Sequence, residues 1–372
     1  MRWSWKIAEF AGIGVYIHAT FTLLIGWVIL VHWSQGQSLR ATLVGVAFIL
    51  TLFVCVVMHE FGHALTAQRF GIPTRDITLL PIGGVARLER MPEDPRQELW
   101  VALAGPAVNV GIAAVLYAWL QLTGEWQPIA ELSVTGGPFL ERLLVVNIFL
   151  VVFNMLPAFP MDGGRVVRAL LATKMEYTRA TQIAATLGQG MALLFGFLGF
   201  FSNPFLLFIA LFVWMGAEQE ASMVQMKSAL GGIPVARAMQ TDFRTLAPRD
   251  SLDRAVELIL SGSQQDFPVV EDGSVVGILT RATLLAALAR RQGVLIGEIM
   301  EREFLAVDPA EMLETAFRRL QDCGCHTVPV VRRGQLVGLV TAENVGEFVM
   351  IQAALRKAQH TPGGVMPRSA GF

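Results

Sequence analysis

Cysteine is scarce in this chain, three among 372 residues, and the three are not placed to build a scaffold: Cys55 lies in an apolar run, Cys323 and Cys325 in a later, more polar region. A disulfide framework of the secreted kind is excluded, and the polar region is expected to face a reducing compartment. Charge is scarce as well. Charged residues make up 16% of the chain, and 29 basic against 30 acidic side chains leave a net charge of −1, which gives no hint of nucleic-acid binding. What fills the chain instead is apolar: hydrophobic residues reach 53%, too many for an ordinary soluble domain.

The apolar residues gather in stretches at about 13–33, 42–69, 97–121, 139–160, 181–201 and 204–224, each near the length that crosses a bilayer, and charge rises abruptly after Lys227. We read six spans followed by a soluble module. The opening Met1-Arg2-Trp3-Ser4-Trp5-Lys6 leads into an apolar stretch with no small-residue cleavage site after it, so that stretch is expected to be a retained span. Arginine placement sets the orientation. Arg69, Arg75, Arg87, Arg90 and Arg96 follow the second span, and Arg165, Arg168, Lys174 and Arg179 follow the fourth. The loop between spans three and four carries Glu125, Glu131 and Glu141 against Arg142 alone. Basic loops face the cytoplasm, and with six spans both termini do too.

His59-Glu60-Phe61-Gly62-His63 lies in the second stretch, behind the uncharged run from Ala47 to Met58. In an α-helix two histidines four residues apart stack on one face, where both imidazoles can bind a single zinc ion while Glu60 stays free as a general base. Ionisable groups inside a membrane span cost free energy and point to function. If the helix leaves the bilayer near Phe70, a rise of ~1.5 Å per residue from Glu60 puts the metal ~15 Å below the cytoplasmic face. Two histidines do not complete a catalytic zinc site, which takes three protein ligands. The third candidate is Asp162, within Asn154-Met155-Leu156-Pro157-Ala158-Phe159-Pro160-Met161-Asp162-Gly163-Gly164. Prolines end regular helix there and glycines permit close backbone approach; irregular backbone at membrane depth is tolerated where it lines a cavity.

The chain resembles the site-2 protease family of intramembrane zinc metalloproteases. The resemblance rests on H-E-x-x-H at His59–His63, N-x-x-P-x-x-P-x-D-G at Asn154–Gly163, and Ala104-Gly105-Pro106-Ala107-x-Asn109 opening the third span, and covers roughly residues 40–170. It implies an endopeptidase holding one zinc per chain on His59, His63 and Asp162. Zinc-activated water, deprotonated by Glu60, would attack a peptide carbonyl in a transmembrane segment of a membrane-bound regulatory protein. Asn154 would hold the substrate or the developing oxyanion. The segment Leu79 to Glu89, containing Gly84 and Val85, would be a β-hairpin that takes up a locally unwound substrate as a further strand. The far-side loops are too short to hold a PDZ domain.

Other residues have plainer expectations. Cys55, one turn before His59, is read as a small buried hydrophobe. His18 and His32 are read as structural, and Gly105 and Asn109 as serving close packing of the third span. Cys323-Gly324-Cys325-His326 has no second ligand group at suitable spacing, so no metal is expected there.

Residues 233–352 contain an ungapped repeat, with Met239 matching Met300, Pro268-Val269-Val270 matching Pro329-Val330-Val331, Gly277 matching Gly338 and Thr280 matching Thr341. The first copy reads as a helix over 251–261, strands over 267–270 and 275–279, and a helix over 283–289. Two such copies resemble a tandem CBS pair, a Bateman module. That resemblance implies an adenine nucleotide bound near Thr280, Thr341 and Asn344, and a homodimer formed through the CBS domains. Thr283 and Asn344 stand where a ribose-binding acid is usual, so both acids are missing.

The sequence thus predicts a polytopic α-helical membrane protein of about six transmembrane helices with a cytoplasmic α/β tandem CBS module. Its expected divisions are a membrane metalloprotease domain over 1–230, CBS domains over 231–292 and 293–358, and a flexible tail over 359–372. The expected location is the plasma membrane of a prokaryote. The alternative is a CBS-regulated transporter or channel with an intramembrane metal site. Transport would need polar residues spread along several spans, whereas here they cluster near the cytoplasmic side.

Overall fold

The computed structural model of the protein describes residues 3–81, 83–88, 92, 94–123, 138–289 and 294–359. Arg2, Arg90, Glu125, Glu131 and the expected tail from 360 onward lie outside the described residues. The chain divides into two compact units, Met1–Val224 and Gln225–Phe372.

The first unit opens with strands β1 (Ser4–Phe10) and β2 (Ile13–His18), then helices α1 (Phe21–Ser34) and α2 (Leu39–Arg69). The stretch at 13–33, read as one span, therefore opens with a strand and becomes helical only from Phe21. Ile13, Val15 and Ile17 alternate with Gly14, Tyr16 and His18, a period of two that suits a pleated strand rather than a helix. Strands β3 (Thr74–Leu80) and β4 (Gly83–Leu88) follow, and the sheet runs β1-β2-β3-β4, with β2 and β3 parallel and the other pairs antiparallel. The hairpin expected over 79–89 is thus the outer half of a larger sheet, and β3 and β4 both pack on α2.

Helices α3 (Pro95–Thr123), α4 (Phe139–Asn154), α5 (Asp162–Ala172), α6 (Tyr177–Phe201) and α7 (Phe205–Leu230) complete the unit, the end of α7 passing into the next. Among the described residues α2, α3, α6 and α7 are long and apolar enough to cross a membrane; α1 is a shorter apolar helix of 14 residues, and α4 has 16. Helix α4 stops at Asn154 because Pro157 and Pro160 follow, and an irregular segment leads to α5. That segment is packed tightly: Ala158 and Phe159 are buried, and a Cβ on Gly164 would stand 2.6 Å from the backbone of each. One buried cation ties three helices together. Arg168 of α5 donates to Glu98 of α3 and to Glu220 of α7, with its guanidinium 5.0 Å from the rings of Phe159 and Tyr177.

The second unit contains α8 (Leu252–Ser261), β5 (Phe267–Glu271), β6 (Ser274–Leu279), α9 (Arg281–Ala289), α10 (Ile296–Ile299), α11 (Leu313–Cys323), β7 (Thr327–Arg332), β8 (Gln335–Thr341) and α12 (Ala342–Gln359). Each copy contributes one hairpin to a sheet of order β5-β6-β8-β7, turning at Asp272-Gly273 and Arg333-Gly334. All four turn residues have positive φ, as a two-residue hairpin turn with the strands' own twist demands. The two cores are not contiguous in sequence. The segment around Val235 packs and pairs with the second copy, Gln240 bridging Leu339, while Ile296 and Met300 fill the first copy's core and Glu301 bridges Ile278. The repeated glycines allow this exchange: a Cβ on Gly277 would meet Met300 Sδ at 2.7 Å, and one on Gly338 would meet Met239 Sδ at 2.9 Å. Cys323 and Cys325, expected in a reducing compartment, are bonded to each other by a disulfide.

Candidate metal centre

Helix α2 brings His59 and His63 onto its buried face, and the first residue of α5 brings Asp162 to meet them; all three side chains are buried. His59 Nε2 lies 3.0 Å from His63 Nε2 and 3.2 Å from Asp162 Oδ2, and His63 Nε2 lies 3.1 Å from the same oxygen. A tetrahedral zinc with ligands at about 2.0–2.1 Å spaces its ligand atoms about 3.3 Å apart. The three donors therefore already stand near the spacing one ion imposes. Among the described residues this is the one group of three or more His, Cys, Asp or Glu side chains that converges in this way.

The surroundings suit a cation. His63 Nδ1 is 2.7 Å from Val101 O, which can only accept, so Nδ1 carries the proton and Nε2 turns a lone pair inward. Opposite, Gly105 of α3 leaves the space open: a Cβ there would lie 2.7 Å from His59 Nε2. Gly62 permits the same approach from α2, since its Cβ would lie 2.7 Å from Ala104 O. Close packing of α3 was expected of Gly105, and here the packing is against the donor atoms themselves.

Asn109, expected to serve packing, sets its Oδ1 2.5 Å from His59 Nδ1. A helix-interior amide gives no sign by itself of what it faces. The available signal was the spacing of Gly105 and Asn109, four residues apart on one face of α3, which also carries Val101 four residues earlier. Glu60 is half-buried and stands outside the donor trio; Ala86 N of β4 donates to its Oε2 at 3.2 Å. Gly84 lies against it too, a Cβ there meeting Glu60 Cγ at 2.9 Å, while Val85 points outward and is largely exposed. Asn154 is the last residue of α4, half-buried, at the start of the segment that carries Asp162. Cys55 is buried in an apolar cluster with Phe48 and Leu143. His18 and His32 bond locally, to Thr20 Oγ1 and Val28 O.

In the second unit Thr280 and Thr341 act alike. Each hydroxyl accepts the backbone N–H three residues on, from Thr283 and Asn344, capping the helix that follows. The copies differ at the next step: Glu301 Oε1 lies 3.1 Å from both Thr280 and Thr283 hydroxyls, whereas the Thr341 hydroxyl donates to Asn344 Oδ1 at 2.7 Å.

The sequence signature of peptidase family M50 matches residues 47–135 and 129–195, and that of the CBS domain matches 235–290 and 296–350. Zinc metalloprotease MJ0392 of Methanocaldococcus jannaschii is 32% identical over 346 residues, which cover 93% of this chain and 96% of that protein. The chain belongs to peptidase family M50. Among solved structures, the site-2 protease from Methanocaldococcus jannaschii is 37% identical over 59% of this chain and 95% of that one, with a TM-score of 0.44. CBSX2 in complex with AMP is 28% identical over 34% of this chain and 99% of that one, with a TM-score of 0.30. This M50 member is a membrane protein with a zinc metalloprotease domain and a pair of CBS domains.

Proposed function

We propose that this M50 protease is an intramembrane endopeptidase that cuts transmembrane segments of membrane-bound regulatory proteins, with one zinc per chain held by His59, His63 and Asp162. The observation that carries the reading is the convergence of those three donors with Glu60 one residue along the same helix and β4 beside it. Bound there, zinc supplies a Lewis acid that polarises a carbonyl and acidifies water. Glu60 takes the proton from the attacking water, and its half-burial beside the trio suits that work. A helical substrate hides its carbonyls in i to i−4 bonds and has to unwind before attack. Strand β4 pairs only with β3 among the described residues, so its other edge, with Gly84 and Val85, can receive the unwound segment as a further strand. Asn154 is assigned to hold the substrate or the developing oxyanion.

The finer placement belongs to the same proposal: plasma membrane of a prokaryote, basic loops and both termini cytoplasmic, and substrate entering from that side. So do the divisions at 230, 292 and 358, and a homodimer through the CBS domains. The CBS pair is assigned an adenine nucleotide near Thr280, Thr341 and Asn344. The first copy is the better equipped, because Glu301 sets a carboxylate beside Thr280 and Thr283 where the usual acid is missing. A nucleotide regulates cleavage only if it favours one of two arrangements of the module, and a coupling of ~1–3 kcal/mol changes affinity roughly five- to 150-fold.

Co-expression with candidate single-span regulatory proteins tests the activity. A membrane-released fragment that appears with wild type and disappears with Glu60→Gln is expected, and a fragment equally abundant with both would refute the reading.

A further inference from the structure

Behind His59 the structure continues as a chain of amides running from α3 to α4. Asn109 and Asn147 are both fully buried. Asn109 Nδ2 donates to Asn147 Oδ1 at 2.8 Å, and Asn147 Nδ2 donates to Leu143 O at 2.8 Å, with Cys55 Sγ at 3.6 Å beside it. With His59 Nδ1 on Asn109 Oδ1, the series runs from Leu143 through two amides to the imidazole.

The polarity of this series is decided at one end. Leu143 O is a carbonyl and can only accept, so the Asn147 amide has to present its NH₂ group to it; the opposite orientation would press two oxygens together at 2.8 Å. Asn147 Oδ1 then faces Asn109, which has to present its own NH₂. Asn109 Oδ1 is left facing His59, so His59 has to carry its proton on Nδ1. Only that tautomer turns a lone pair on Nε2 toward His63 and Asp162. Without Asn147, Asn109 has no reason to prefer this orientation. Reversed, it would donate to Nδ1 and move the imidazole proton to Nε2, where Asp162 Oδ2 at 3.2 Å would accept it and the ligand atom would be lost to the metal.

We infer that Asn147, which bonds to none of the three metal ligands, is a positioning residue that sets the tautomer of His59 and so the metal affinity of the site. Helix α4 thereby contributes to the centre through two amides, from Asn147 as well as through the segment that delivers Asp162. The inference rests on the zinc site proposed above. Outer hydrogen-bond partners of metal-bound histidines are generally worth 10–100-fold in metal affinity.

The test is zinc affinity of the purified full-length protein, measured by competition with a chelator. Asn147→Leu keeps a similar volume and removes the polarity, and its dissociation constant is expected to rise 10–100-fold. Asn147→Asp restores the pattern, since burial favours the neutral acid, with one oxygen accepting from Asn109 and the hydroxyl donating to Leu143 O; its affinity is expected within a few-fold of wild type. Should the leucine variant fail to fold, Asn147→Ala carries the same expectation. Wild-type affinity in the leucine or alanine variant overturns the inference, and so does an equal loss in the aspartate variant, which would mean that the donor and acceptor pattern at this position does not set the affinity. A wild-type protein that binds no zinc would instead remove the site itself.

Discussion

Ala86 lends its backbone N–H to Glu60 Oε2 across 3.2 Å, so the outermost strand of the first sheet holds the carboxylate proposed as general base. The strand assigned to receive substrate and the group assigned to activate water are thus in contact. Displacing one displaces the other.

Gly84→Val follows directly from that contact. The new Cβ would stand 2.9 Å from Glu60 Cγ and 3.1 Å from Val56 Cγ1, one turn apart on α2. Positioned general bases contribute about 10²–10⁴-fold to rate. Cleavage is expected to fall by roughly 10²-fold or more on that scale, with zinc content unchanged. Metal analysis beside a cleavage assay checks the pair of outcomes, and loss of zinc would show that β4 supports the donors rather than Glu60.

Gly105→Ala should act on the metal instead. A methyl group there would reach into His59 Nε2 at 2.7 Å, and backbone on α3 cannot yield without moving Asn109 and Val101 as well. Zinc affinity is expected to drop by at least about 10-fold, on the scale of losing a supporting contact. Affinity equal to wild type would mean that the histidines have room the structure does not give them.

Arg168→Met should destabilise the first unit without touching the site. Arg168 and Glu98 are fully buried, and removing the cation leaves Glu98 and Glu220 facing one another without compensation. Breaking a buried pair in this way costs about 3–5 kcal/mol. Glu220→Gln should cost less, because Glu220 is 22% exposed and can rehydrate. Unfolding midpoints in detergent give the order, and equal costs would contradict it.

Orientation has its own test in intact cells. A cysteine introduced at Arg87 is expected to stay unlabelled by an impermeant reagent, and one introduced at Glu131 to be labelled. The reverse pattern would invert the proposed topology.

How far the sequence could be read depended on the range of the contact involved. The H-E-x-x-H spacing places His59 and His63 on one helix face by geometry alone, and the Pro157, Pro160 and Gly163 pattern marks where the chain must leave the helix to carry Asp162 inward. Asn147 carries no comparable signal, because an amide inside an apolar helix looks the same whether it faces lipid, a neighbour or a ligand. The first hairpin was hidden differently. Ile13, Val15 and Ile17 alternate, but averaging hydropathy over a span-length window merges them with α1. In the second unit the repeat identifies Met239 with Met300 and Gly277 with Gly338, yet a repeat says only that two contacts are equivalent. It does not say that each methionine packs under the other copy's glycine, which requires the folded sheet.

The role of Glu60 is tested most directly on purified Glu60→Gln protein, in which zinc content and cleavage of a single-span substrate are measured together. Glu60 touches none of the three donors in the hydrogen-bond pattern and bonds instead to Ala86. The expected result is one zinc per chain, as in wild type, with cleavage reduced by about 10²–10⁴-fold. Cleavage at a rate near wild type would contradict the assignment of Glu60 as the base.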